Sequence, residues 1–246
     1  MSTRIPRIAG AVLAAGLVFG TAAPALAEDG GSDDTVEETH GLKDRCQQAI
    51  DRRLTDLAAA QTRIAGVEAL TDAHEATING IIDSTESGLA AHAVELDEED
   101  NRLEIVKLCA EIATEFRVYL VVLPQTHLTV GADRVDLAVD RGDALVEAFD
   151  AAVDAAIEAG ADVTDAVTYR DKAVAHLDAA EASVVGVADE VLTITPSSYN
   201  AGPGQTVIND TRAAVRGAHA EIKEGIADGQ TAIEKLREAL DAIGED

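Results

Sequence analysis

From residue 208 to residue 243 this chain keeps one spacing without a slip. Ile208, Arg212, Val215, His219, Ile222, Ile226, Gly229, Ile233, Leu236, Leu240 and Ile243 alternate steps of four and three. Side chains at that period return to one face of an α-helix and to no single face of a strand. The segment therefore reads as one long helix with an apolar seam, in which His219 is the polar residue that sets register. The two preceding segments repeat the pattern. Val135, Val139, Gly142, Val146, Phe149, Val153 and Ala156 lead to a helix-ending Gly160. Ala173, Leu177, Ala180, Val184, Val187, Val191 and Ile194 lead to Thr195 and Pro196, which stop a helix. Long helices with matched seams pack along one another as an antiparallel bundle.

The first half of the chain is helical too. Cys46, Ile50, Leu57, Ala60, Ile64 and Val67 mark a helix over residues 39–70. Thr71 and Asp72 break it, and Asp72 with Glu75 forms a capping box for a helix over residues 73–94. The acids Asp97, Glu98, Glu99 and Asp100 suit the positive end of a third helix. That helix carries Ile105, Leu108, Cys109, Ile112, Phe116, Tyr119, Leu120 and Leu123 on one face. It runs into residues 116–135, the densest apolar run after residue 27, where Pro124 interrupts the helical pattern. The expected fold class is all-α: an elongated antiparallel helical bundle of two three-helix units, residues 39–123 and 124–246. The units share a long helix kinked near Pro124. Residues 197–206 read as a turn-rich loop.

Residues 1–27 stand apart. Arg4 and Arg7 precede a short apolar segment, residues 8–20, and Ala25-Leu26-Ala27 is a small-x-small cleavage signal. This is the pattern of a secretory signal peptide cut before Glu28. Residues 28–38 are acidic and nearly devoid of apolar side chains, the composition of a disordered tail. The expected location is secreted or extracytoplasmic, at the cell envelope. In such an oxidising compartment a lone cysteine pair forms a disulfide. Antiparallel neighbours place Cys46 and Cys109 at similar heights on parallel helices, so a bridge between the first and third helices is expected.

The chain holds 46 Asp plus Glu against 19 Lys plus Arg, a net charge of −27. That surface repels nucleic acid and anionic lipid. Aromatic residues are only 2 % and Trp is absent, which argues against carbohydrate sites and aromatic-walled pockets. No later stretch is apolar enough to span a membrane.

Each candidate catalytic motif lacks a part. Leu123-Pro124-Gln125-Thr126 has the start of a sortase signal, but His127 stands where glycine is needed and no apolar span follows. Ser198-Tyr199-Asn200 resembles the Ser-x-Asn element of penicillin-binding enzymes without its partner motifs. The glycines Gly202 and Gly204 precede a helix without a phosphate-binding lysine. No two histidines sit at His-x-x-x-His spacing. Catalytic residues, metal ligands and cofactors are all expected to be none, and the chain reads as a non-enzyme.

Leu70-Thr71-Asp72-Ala73, Phe116-Arg117-Val118-Tyr119 through Leu123-Pro124, Ala132-Asp133-Arg134, and Val191-Leu192-Thr193-Ile194-Thr195-Pro196 with Tyr199-Asn200 carry a resemblance. The chain is similar to uncharacterised secreted all-helical proteins of high-GC Gram-positive bacteria, a group with no known activity. The resemblance implies a secreted helical fold and no functional residue. The two-unit plan also resembles spectrin-type repeats in architecture. The expected function is a structural or protein-interaction role at or outside the cell envelope, with a protein partner of unknown identity. The alternative is an extracytoplasmic binding module for a cation or a small apolar ligand near Phe116 and Tyr119, and a hydrolase is the third reading. The seams fit pairing within one chain or between chains, so oligomeric state stays open.

Overall fold

The structure, a computed structural model, describes residues 32–244; the expected signal peptide, residues 1–27, and the start of the expected tail, residues 28–31, lie outside them. Among the described residues the chain is an all-α helical bundle without strands. Eight helices follow one another: α1 (Ser32–Ile64), α2 (Asp72–Glu98), α3 (Arg102–Thr114), α4 (Leu123–Glu158), α5 (Thr164–Val184), α6 (Val187–Leu192), α7 (Pro196–Asn200) and α8 (Pro203–Gly244). A single π-helical turn, Val118–Val122, runs directly into α4. The acidic segment expected to be a disordered tail is helical from Ser32 onward, as acids suit a helix N-terminus.

Several boundaries differ from those expected, each for a local reason. α1 ends at Ile64 because Gly66 takes a left-handed conformation, φ 89°. The α2 cap is Thr71 rather than Asp72, its hydroxyl accepting the His74 N–H. The acids at 97–100 close α2 instead of opening α3, whose cap is Asn101. The third helix does not continue to Gly160. It stops at Thr114, and Arg117 adopts a left-handed backbone, φ 44°. A non-glycine residue there costs free energy and needs support. Asn200 provides it, accepting from Arg117 Nε at 2.7 Å and donating to the Thr114 carbonyl at 2.9 Å. The Arg117 guanidinium also lies 5.4 Å from the Tyr199 ring.

Pro124 is therefore not a mid-helix break. The helix is continuous across it, and the irregularity lies one turn earlier, in the π turn that Leu123 N–H closes onto Val118 O. Pro124 stands in the first positions of α4, where a missing N–H costs little. The expected fourth helix is also divided. Gly186, at φ 71°, separates α5 from α6. The loop expected at 197–206 is largely helical, since Thr195 and Ser198 form a reciprocal capping box for α7 and Pro203 opens α8.

Cys46 and Cys109 are bridged, with Cα atoms 5.6 Å apart. The disulfide sits in a core of Ile50, Leu57, Ile78, Ile82, Leu89, Leu96, Ile105 and Ile112 that joins α1, α2 and α3. Complete burial of each such side chain stabilises by about 1.5–3 kcal/mol. Three smaller clusters join α4 to the helices after it. Val121 and Leu128 meet Ile208, Val135 and Val139 meet Val215 and Ala218, and Val153 and Ala156 meet Leu236. Start meets start and end meets end, so α4 and α8 are parallel, with α5 antiparallel between them.

Candidate functional site

The site begins with the way α5 and α8 pack. The residues that α8 buries are Gly204, Ile208, Thr211, Val215, Ala218, Gly225, Ala232 and Leu236. Every seventh one is small: Thr211, Ala218, Gly225 and Ala232. On α5 the buried Ala166, Ala173 and Ala180 recur at the same interval. Small residues at one heptad position let two helix backbones approach closely. At Gly225 an added Cβ would stand 3.2 Å from His176 Cβ and 3.3 Å from the Ala173 carbonyl oxygen. His176 reinforces the pair, with Nδ1 2.7 Å from Glu221 and Nε2 3.6 Å from Asp228.

α4 does not follow that close pair along its whole length. It is buried at Val135 and Val139, then again at Val153 and Ala156, and no residue between Val139 and Val153 is buried. Gly142, Val146 and Phe149, the middle of the expected seam, are half-buried. The gap is an apolar groove of about 1100 Å³. Its α4 wall includes Ala138, Arg141, Leu145 and Ala152, and its α8 wall includes Ile226, Ile233 and Leu240. Ala173 and Leu177 of α5 lie at its base, and residues 66–69 between α1 and α2 border it. The Arg141–Glu68 ion pair, 2.7 Å, ties that border to α4. Each wall extends for about 27 Å at 1.5 Å per residue.

The α8 wall corrects the expected seam. Arg212, His219, Ile226, Ile233 and Leu240 do not face α5; all are exposed. His219 is thus a surface residue and sets no register. This exposed row changes character along the helix. It is polar at Arg212 and His219, where α4 lies close, and apolar from Ile226 on, where the groove opens. Ile226 remains 55 % exposed, Ile233 44 %, Leu240 42 % and Leu145 across the groove 72 %.

The other sequence candidates are used in packing. Phe116 stacks edge-on to His92, ring centroids 5.5 Å apart, over Gly88, where a Cβ would lie 2.7 Å from the ring. The Tyr119 hydroxyl donates to Asp56 at 2.8 Å, and Arg53 lies over the ring. Ser198, the serine of Ser-x-Asn, is used in the α7 capping box, where its hydroxyl accepts the Thr195 N–H.

Sequence reading missed a buried polar clasp. Asp133 of α4, only 2 % exposed, accepts the Thr71 N–H and lies 2.9 Å from His74 Nδ1. His74 Nε2 lies 3.4 Å from Asp189 of α6. Burial alone would lower the His74 pKa, but the Asp133 and Asp189 hydrogen bonds and charges outweigh it, and the pKa is raised. Burial and the neighbouring Asp133, Asp140 and Glu181 push up the Asp136 carboxyl beside it. Both imidazole nitrogens face carboxylates, so the trio ties α2, α4 and α6 together. Among the described residues no three His, Cys, Asp or Glu side chains are placed to hold a metal, and no helix is long and apolar enough to cross a membrane. No family model, curated protein or solved structure matches the chain.

Proposed function

We propose that this chain is an exported helical-bundle protein that works by holding a partner in the α4/α8 groove, at or outside the cell envelope. The observation that carries this reading is the exposed row of α8, which is polar at Arg212 and His219 and turns apolar from Ile226 on, along the groove. Surface residues under no constraint would stay polar along the row, as Arg212 and His219 are. The leader pattern in the sequence and the Cys46–Cys109 disulfide support export. In this reading residues 39–123 are a stapled three-helix brace and residues 124–246 the binding unit.

The test uses an apolar fluorescent probe, N-phenyl-1-naphthylamine, titrated into the full secreted chain and into an Ile226→Glu/Ile233→Glu variant. Both positions are exposed, so the variant keeps its fold. The reading expects saturable fluorescence enhancement with the native chain and its loss in the variant at unchanged melting temperature. Equal enhancement in both overturns it. A second reading, a small apolar ligand, draws on Val146, Phe149 and Leu177 deeper in the groove. It expects Leu177→Asn to abolish probe binding while the exposed-row variant retains it.

A further inference from the structure

We propose that the occupant of the groove is one anionic amphipathic helix supplied by a partner protein. The inference rests on the groove being the binding site and adds the chemistry of what binds. Its first support is a reversal of charge. The chain as a whole has 46 acids to 19 bases, yet the charged residues lining the groove are Arg134, Arg141, Arg170 and Arg237 against the single acid Glu68. Arg141 is engaged by Glu68, and Arg170 by Asp150 and Asp171. Among the described residues no ion pair involves Arg134 or Arg237. These two exposed guanidinium groups lie toward opposite ends of the groove, one on each wall, and are placed to receive carboxylates at the two ends of an elongated ligand.

The second support is period. Ile226, Ile233 and Leu240 recur every seven residues on one wall, and Ala138, Leu145 and Ala152 every seven on the other. The two walls are parallel, so both rows advance together. A helix presents its knobs at that interval and seats them between such rows. An acyl chain has no period to match. The length of the walls, about 27 Å, takes a helix of about 19 residues. The net charge of −27 opposes an acidic partner at long range, but screening confines that repulsion to within about 8 Å at physiological salt. The arginines in contact with the ligand then decide its sign.

The experiment titrates two labelled synthetic helices of about 19 residues into the full secreted chain. Both carry Leu on a heptad seam, one with Glu flanks and one with Lys flanks. The proposal expects saturable one-to-one binding of the Glu peptide, at least about tenfold tighter than the Lys peptide. It expects an Arg134→Glu/Arg237→Glu variant to invert that preference and added salt to weaken it. Both arginines are exposed, so a circular-dichroism melt of the variant stays that of the native chain. Equal binding of the two peptides, both lost in Ile226→Glu/Ile233→Glu, overturns the charge assignment and leaves the groove reading standing. Binding of neither peptide overturns both. Two further results overturn the choice of occupant: oleate saturating the groove and displacing the Glu peptide, or a native dimer that Ile226→Glu/Ile233→Glu converts to monomer.

Discussion

Reducing the Cys46–Cys109 disulfide costs the folded chain about 4 kcal/mol. The bridge spans 63 residues, and the loop-closure entropy of a loop that long, about 14 cal/mol/K, amounts to that figure at 25 °C. For a chain of this size each kcal/mol moves the melting temperature by about 2–4 °C. Reduction therefore lowers the melt by about 8–16 °C. The N-terminal helices carry the bridge, so the drop falls on the transition in which α1–α3 unfold. The assay compares oxidised and reduced wild-type chain by circular dichroism, so that no side chain changes size. Thiol titration in denaturant establishes the redox state beforehand. A reduced chain that melts within about 2 °C of the oxidised one refutes the view that this loop is long and open in the unfolded state.

Other expectations follow from single positions. His74 binds its proton more tightly in the fold than in the unfolded chain, whose value is near 6.5. The clasp thus stabilises fully below that value, and its contribution is lost as pH rises through the raised folded pKa. Melting temperature falls over that window in the native chain, and His74→Gln flattens the change. Gly225→Val places a branched side chain where even a Cβ is 3.2 Å from His176, and destabilises by about 1–3 kcal/mol in denaturant titration. His219→Leu, on the exposed face, changes stability by less than about 0.5 kcal/mol, whereas a register-setting seam residue would change it by more.

Helical periodicity revealed the class of fold because three long segments keep it over many turns. It misplaced the frame of α8 by choosing size over position. Ile226, Ile233 and Leu240 are larger than Ala218, Gly225 and Ala232, so the apolar pattern was drawn through the row that faces solvent. The small residues are what the close α5 contact requires, and a count of hydrophobic side chains undervalues them. That error concealed the groove, since the row assigned to the core is one of its walls. The disulfide was legible because the chain has only two cysteines. The break at Arg117 was not, because a left-handed arginine is held by Asn200, which lies 83 residues away in sequence. No local signal carries that information. The Asp133 clasp was hidden for the same reason, its partners lying on α2 and α6.

The central claim is that the open groove between α4 and α8 is where this protein meets its partner. Methyl NMR on chain labelled at isoleucine Cδ1, titrated with the Glu-flanked helix, tests it most directly. The account predicts that the Ile226 and Ile233 signals shift and saturate together while Ile50, Ile78 and Ile82, buried among α1–α3, stay in place. Signals that stay fixed at Ile226 and Ile233, or shifts centred on the N-terminal core, contradict it.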